Sequence, residues 1–575
     1  MSAATTPSDA DRPSSTESAT AAPDVPSADA RGPLGRLYRR ELADYPPTAR
    51  RMVYLAIVVV TTVVLYYMLY IQYAVATSII THFGMTYRYF IWVSVIGNAV
   101  GAFASLVAGL ADRWGRANLV VYGLLIAALL VFFGLPNAAN KTTYLVLFAL
   151  VSFIEGIVLV ATPALIRDFS PQLGRATAMG YWTMGPVIGS LVVTTVTSNT
   201  LDSATWQDEL RYSAIAGFVV FIAAVCALRE LSPALRDQIM VTLRDRALIE
   251  ARAKGLDTEA VRRGEWRQMM RLDVLGSAFA IAVFLLLYYA AVGNFVVYFS
   301  TVFGYSEQRT NALANWYWGA NAIALVLVGL VSDRLKVRKP FMIVGAVGSV
   351  VVTAIFATRA THLTTDYYTF AWLFIGIGVF SGIAYAPWMA SFTETVEKHN
   401  PAATAAGLAV WGWTVRIVVA VSAAFIPVLV TSVTPLVEHG AEVKVASAQA
   451  APALAIVNAH PDLFAELNKY TPATVPPALG ARAAKEVGAE NLAVVQKAAP
   501  QLKLLQEYGA EVQKASKDGP GEWRTWWWIC VGGQVLFLPL VFVMAGRWSP
   551  KRARLDAEAH QVAVNRELAA LAATE

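Results

Sequence analysis

Long apolar runs alternate with short polar connections along most of the chain. They fall at roughly 52–80, 88–111, 117–135, 143–167, 175–198 and 210–230, then, beyond a charged segment, at roughly 272–303, 310–333, 338–357, 366–393, 403–432 and 523–546. Each reaches about 20 residues or close to it, the length at which an α-helix crosses the hydrocarbon of a bilayer. The pattern predicts an all-α membrane protein with twelve transmembrane helices in two groups of six.

The stretches that break the pattern set the expected organisation. Residues 1–50 begin rich in Ser, Thr, Ala, Pro and Asp and end with Arg31, Arg36, Arg39, Arg40 and Arg50. Such a segment buries too little apolar surface to offset the entropy of ordering, so it is expected as a disordered tail with a basic juxtamembrane end. No basic, apolar and small-residue succession opens the chain, so the first span is expected to insert the protein itself. A six-helix bundle over 51–230 follows, then a linker at 231–271, helices seven to eleven over 272–432, an insert at 433–522, helix twelve at 523–546 and a tail at 547–575.

The linker carries Arg236, Arg244, Arg246, Arg252, Lys254, Arg262 and Arg263 among acids at helical spacing. It reads as an amphipathic helix near lipid headgroups, or as a plain solvated linker. In the insert, Leu492, Val495, Ala499, Leu502, Leu505, Gly509 and Val512 keep a helical period interrupted by Pro500, which suits the first turn of a second helix. A small helical cap is expected there, and gating, partner docking and decoration all remain open for it.

Charge supplies the orientation. Arg113, Arg116, Arg167, Arg175, the Arg334–Lys339 cluster and the Arg547–Arg554 cluster all fall on the side of the N-terminal tail, whereas the loop with Asp202, Asp208 and Glu209 is poor in Lys and Arg. Both termini are therefore expected in the cytoplasm, with Arg88 and Arg359 as exceptions, and the cell membrane is the expected location. The net charge of +6 sits beside apolar runs and not along an amphipathic face, so lipid, and not nucleic acid, is the expected partner. Of the 575 residues 56% are hydrophobic and 15% charged, against about 25% charged in a soluble domain. Cys226 and Cys530 lie inside apolar runs, six His are scattered, and no phosphate-cradling loop or metal-ligand spacing occurs. Enzymatic chemistry, a cofactor, a metal and ATP-driven pumping are not expected.

The two halves repeat one another. Ala176–Gly180 reads A-T-A-M-G and Ala403–Gly407 reads A-T-A-A-G, while Gly109, Asp112 and Arg113 are matched by Gly329, Asp333 and Arg334. A repeated unit places a central site between the halves near the bilayer midplane. With G-L-A-D-R-W-G-R at Gly109–Arg116, the chain resembles the major facilitator superfamily over essentially its whole membrane part. Ala108 stands where the first Gly of that loop is expected, and Lys336 and Val337 replace the later Gly and Arg in the second half. The resemblance implies two pseudo-symmetric six-helix bundles, a pathway lined by spans one, four, seven and ten, and no enzymatic activity.

Independently of the family, an Asp at the C-terminal end of a helix faces the negative end of the dipole and needs a cation. Arg113, Arg116 and Arg334 are the candidates for Asp112 and Asp333. Asp168 followed by Arg175 is similar to the acid-x6-Arg signature of the sugar porter branch, with Glu394 as its counterpart and Pro401 in place of the second Arg. The resemblance implies that these residues form cytoplasmic ion pairs that break when that face opens; topological anchoring by loop charges is the alternative. Gly97, Gly101, Ser105 and Gly109 recur every fourth position, a ridge where another helix can approach. Gly180, Gly185, Pro186 and Gly189 are similar to the G-P-x-x-G-G motif of proton-driven exporters, with Ser190 at the final Gly; a packing ridge is the alternative.

Two charges lie inside the spans, Glu155 in helix four and Arg416 in helix eleven, each costing several kcal/mol unless paired or facing water. Glu155 is the proton-coupling candidate, since a carboxyl in an apolar cavity can load and unload a proton as solvent access alternates. The superfamily's usual Arg on helix four is missing around it. Arg416 is the candidate for holding a carboxylate or phosphate, because guanidinium is a permanent, planar, bidentate donor. A structural pair between the halves is the alternative for both. Tyr66, Tyr70 and Tyr73, Tyr289, Asn294 and Tyr298, and Tyr385 and Trp388 complete the candidate cavity, each otherwise a packing or lipid-facing residue.

The chain thus reads as a secondary active transporter of a small organic solute, driven by protons, with an anionic metabolite as substrate. A proton-driven exporter of amphipathic or drug-like compounds is the second reading. A non-transporting scaffold or receptor that binds a protein partner through the insert is the third.

Overall fold

In the computed structural model residues 40–107, 114–170, 180–253, 269–400, 404–470 and 474–572 are described. Residues 1–39, most of the expected tail, lie outside this set, as do Asp112, Arg113 and Arg175. In the first bundle α1 (Thr48–Ala74) breaks at Val75 and continues as α2 (Ala76–Phe83); α3 (Tyr87–Val107), α4 (Arg116–Leu129, prolonged to Asn137), α5 (Lys141–Phe169), α6 (Gly185–Thr200) and α7 (Trp206–Ala227) follow. The short strands β1 (Glu41–Leu42) and β2 (Glu230–Leu231) pair in parallel, tying the entrance of the first bundle to its exit. Next comes the linker helix α8 (Pro233–Ala253).

The seventh span is broken twice, into a first turn at Leu272–Gly276 with α9 (Ser277–Phe284), α10 (Leu286–Gly293) and α11 (Phe295–Phe303). Then come α12 (Glu307–Leu335), α13 (Lys339–Arg359), α14 (Tyr367–His399) and α15 (Thr404–Leu429). The insert comprises α16 (Val433–Glu438), α17 (Gly440–Gln449), α18 (Ala451–Ala459), α19 (Pro461–Leu467), α20 (Pro477–Glu486), α21 (Ala489–Lys497) and α22 (Ala499–Leu504), with Pro500 in the first turn of α22. The last span α23 (Ala510–Val543) leads to α24 (Pro550–Ala572). Nine described helices are long and apolar enough to span a membrane, ten with the bent pair Leu272–Phe284 and Leu286–Gly293. With α3 and α6, which border undescribed residues, the chain has the twelve helices of two six-helix bundles.

The bundles repeat their packing. α3 lies on α5 as α12 lies on α14, α4 on α5 as α13 on α14, and α1 on α7 as α9 on α23. Small residues make the closest approaches: a Cβ at Gly101 would lie 2.9 Å from the carbonyl of Ser152, and one at Gly378 would lie 2.5 Å from that of Tyr317. Gly185 and Gly189 press α6 onto Thr62 and Tyr66 of α1 in the same way. Between bundles, α6 meets α12 and α3 meets α15.

β1, β2, α8 and α24, which packs on α8, gather on one face, here called the termini face. The insert caps the opposite face. Its root α16 packs against α2, α3, α11 and α23, whereas Leu463, Phe464, Leu479, Ala483 and Val487 form a small core of their own.

Candidate functional site

Helix α5 begins cleanly because Asn140 accepts hydrogen bonds from the amides of Thr142 and Thr143, both at 3.0 Å. Four turns on, Glu155 sits on the buried stripe that also holds Val151, Ser152 and Gly156. It is only 8% exposed. Arg416 comes from α15 of the other bundle, and its guanidinium is the charge that acts on the Glu155 carboxylate. Arg416 Nη1 also donates to the carbonyl of Gly101 on α3 at 3.2 Å, so its partner across the interface is backbone as well as charge.

Tyrosines enclose this pair. Tyr66, Tyr70 and Tyr73 recur at four- and three-residue spacing on one face of α1, with ring centroids 5.2 and 6.3 Å apart. Tyr66 shares its electrostatic surroundings with Glu155, Arg416 and Tyr385; Tyr70 shares its own with Glu155, Tyr288 and Tyr289. Tyr289 in turn faces Tyr385 and Tyr66. The structure therefore brings Glu155, Arg416, Tyr66, Tyr70, Tyr289 and Tyr385 into one neighbourhood, drawn from spans one, four, seven, ten and eleven. Tyr288 belongs to it as well; two adjacent Tyr give no helical-face signal by which the sequence could choose between them.

The other candidates lie elsewhere. Trp388 is fully buried behind Tyr385, stacked on it at 6.0 Å and on Phe392 at 5.0 Å. Asn294 accepts from the hydroxyl of Tyr87 at 2.6 Å, and Tyr298 packs on Trp523 and Trp527. Between the tyrosines and the insert face lies a narrow cleft lined by Tyr70, Tyr73, Ser190, Thr194, Asn311, Phe295 and Trp318.

That face is closed by polar contacts between the bundles. Thr194 donates to Asn315 at 2.6 Å, Asn315 to Ser198 at 3.0 Å, and Gln308 to the Ser198 carbonyl at 3.3 Å. Glu307 and Asn311 add contacts to α2 and α1. Glu307, Asn311 and Asn315 recur every fourth residue at the start of α12. That stripe was the available signal for this gate.

On the termini face Arg116 Nη1 reaches both oxygens of Asp168, at 2.9 and 2.8 Å. The backbone amide of Arg116 donates to Glu230 at 2.7 Å, so β2 supplies the N-terminal cap of α4. Arg40 is buried beside it, donating to the Val225 carbonyl at 2.8 Å and to Asn118 at 3.1 Å. In the second bundle Asp333 pairs with Arg338 at 2.7 Å and Glu394 pairs with the same Arg338 at 3.1 Å, while Arg334 is exposed. Lys336 takes a left-handed conformation at φ 55°, where Gly115 in the first bundle also has positive φ. The reversal returns Arg338, and not Arg334, to Asp333.

Two repeated bundles enclosing a buried acid, a half-buried arginine and a tyrosine-lined interior define a polytopic membrane transporter. The chain belongs to the Major Facilitator Superfamily, whose family profile matches residues 58–421, and is accordingly a secondary transporter of small molecules and an integral membrane protein. Its fold is similar to that of a bacterial homologue of the human lysosomal transporter Spinster in an inward-facing, unoccupied conformation, at 16% identity over 88% of this chain and 100% of that one, with TM-score 0.53. The occupied inward-facing form of such a homologue gives a TM-score of 0.56 at the same identity and coverage. The xylose transporter XylE from E. coli, partially occluded and inward open, is 15% identical over 66% of this chain and 91% of that one, with TM-score 0.50. No curated protein sequence matches the chain.

Proposed function

We propose that this transporter moves a small organic anion together with protons by alternating access, with Glu155 as the proton carrier and Arg416 as the anion ligand. The placement of both charges in one tyrosine-lined neighbourhood between the bundles carries the reading. A carrier reorients most easily when the charges it buries sum to zero, because each uncompensated charge in low dielectric costs several kcal/mol. Ionised Glu155 with Arg416 satisfies this when the site is empty. An anion on Arg416 breaks the balance, and a proton on Glu155 restores it, which couples one anion to one proton. Tyr66, Tyr70, Tyr289 and Tyr385 supply hydroxyls and ring faces to orient the solute.

The excess of Lys and Arg at the termini face supports an orientation with that face in the cytoplasm, with the cell membrane as the proposed location. The gate closed between α6 and α12 then makes this an inward-facing state. Asp168 with Arg116, and Asp333 and Glu394 with Arg338, tie the ends of spans within each bundle on that side while the opposite gate is closed, which supports anchoring by loop charges over ion pairs that break when that face opens. Aromatic walls also suit amphipathic solutes, which keeps proton-driven export as the second reading.

A counterflow screen over metabolites and antibiotics, with and without a pH gradient, tests the proposal. Glu155→Gln is expected to keep solute exchange and lose accumulation driven by the gradient; unchanged accumulation would exclude the proton role. Arg416→Lys is expected to weaken anion binding at least ten-fold, and normal binding would exclude bidentate anion recognition.

A further inference from the structure

The break between α1 and α2 leaves a carbonyl at the end of one helix and amides at the start of the next without helical partners. Both are satisfied by the opposite bundle. Asn311 on α12 donates to the Ala74 carbonyl at 2.9 Å. One turn earlier, Glu307 accepts from Thr77 Oγ1 at 2.5 Å, from the Ser78 amide at 2.9 Å and from Ser78 Oγ at 2.6 Å. Two residues four apart on one helix thus cap both sides of a break in another, across the interface that must part when the insert face opens.

We infer that Glu307 is a proton-releasable latch of the insert-face gate: ionised, it caps α2 and holds the bundles together; protonated, it lets them part. The inference rests on alternating access and not on proton coupling at Glu155. A carboxylate at the start of a helix is favoured by amides and dipole only while it carries its charge. Among the described residues, the groups acting on the carboxylate are the hydroxyls and amides of Thr77 and Ser78.

The other described titratable groups on the packed elements make no hydrogen bond or ion pair to it. Arg309 lies over the rings of Tyr305 at 4.3 Å and Tyr367 at 5.5 Å, and His82 packs on Phe83 and Trp206 at the far end of α2. Tyr298 of α11 is buried against Trp523 and Trp527, and Asp366 caps the start of α14 at Tyr368. Glu438 ends α16 with its Oε1 buried and without a hydrogen-bond partner among the described residues, and α6 has no titratable side chain.

The test places spin labels at Ser203→Cys and Leu363→Cys, exposed on the insert face of each bundle, in full-length protein without Cys226 and Cys530. Distances are measured in nanodiscs at pH 8 and pH 5. The wild-type background is expected to hold a short distance at pH 8 and to gain a long one at pH 5. Glu307→Gln is expected to raise the open-to-closed ratio at pH 8 by roughly ten-fold, the effect of weakening one charge-assisted hydrogen bond, and to remove the pH response. Thr77→Ala with Ser78→Ala, which leaves Glu307 in place, is expected to shift the ratio the same way, and Glu155→Gln is expected to keep the pH response. A wild-type pH response in Glu307→Gln, or an unchanged ratio in the Thr77 and Ser78 variant, overturns the latch. A response lost in Glu155→Gln and kept in Glu307→Gln assigns it to the central site alone and overturns the latch too.

Discussion

Arg416 donates to the carbonyl of Gly101 at 3.2 Å, and a Cβ added at Gly156 would lie 2.3 Å from that same oxygen. The three residues come from α15, α3 and α5, and Gly156 adjoins Glu155. The absence of a side chain at Gly156 therefore lets the helix carrying the acid approach the backbone that receives the base.

Gly156→Ala is accordingly predicted to disturb the site more than its packing. Overfilling a tight contact costs about 1–3 kcal/mol, and here the atom that must move is the backbone acceptor of Arg416. At Gly97 the same substitution meets side-chain atoms, the Phe148 ring at 2.7 Å and Ser152 Oγ at 2.9 Å, and not the acceptor of Arg416. Thermal unfolding in detergent and initial transport rates should show Gly156→Ala losing at least ten-fold in rate while Gly97→Ala, at a comparable melting temperature, loses far less. Equal losses in both would reduce Gly156 to a packing position.

A second prediction concerns the termini face. Asp168 lies near the C-terminal end of α5, where the dipole disfavours it, and Arg116 compensates through one nitrogen shared by both carboxylate oxygens. The side chains are 7% and 12% exposed. Removing one member of so buried a pair strands the other, at about 3 kcal/mol. Asp168→Asn should thus lower the unfolding midpoint clearly, and Arg116→Ala should do the same. The double variant should fall well short of the sum, and strict additivity would show the pair to be uncoupled.

The spans and the two halves were legible in the sequence because each rests on a local signal, apolar length and a repeated loop; Glu155 and Arg416 stood out singly, as charges where charge is expensive. What was not legible depends on tertiary partners. Arg40 read as one more orienting charge, yet it is buried against the carbonyls ending α7, 185 residues away. Asp333 turns to Arg338 because the chain reverses at Lys336, a conformation that composition does not announce. Asn294 looked like a solute ligand by its span and polarity, and its carbonyl oxygen is engaged by Tyr87 of the other bundle.

Glu230 gives a pH prediction outside the spans. Burial, the largest influence, raises its pKa above the ordinary carboxyl range, outweighing the amides of Arg116 and Ala117 and the charge of Arg236. An acid whose folded pKa is raised binds its proton more tightly when folded, so its contribution to stability is full below the unfolded pKa and is lost as pH rises through the folded one. Glu230→Gln should remove this dependence. Melting temperatures of wild type and variant, compared from pH 4 to pH 8, should show the wild type losing ground relative to the variant as pH rises; the opposite slope would mean that the helix-capping amides dominate.

The insert yields the last prediction. His439 and Tyr508 stack with centroids 3.8 Å apart and planes at 18°, closing a neck between the root helix α16 and the start of the last span. Beyond the neck, α18 to α21 share a separate small core, whereas α16 contacts both bundles. Joining the chain across that neck in place of residues 441–506 should therefore leave the spans folded, with a melting temperature within a few degrees of wild type and transport at near-normal rate. Substituting Val433, which is fully buried in the root, by Asp should instead impair transport, because it places a charge between α16 and the helices that form the gate. Loss of transport in the deletion with the fold intact would give the insert a part in the cycle beyond its root.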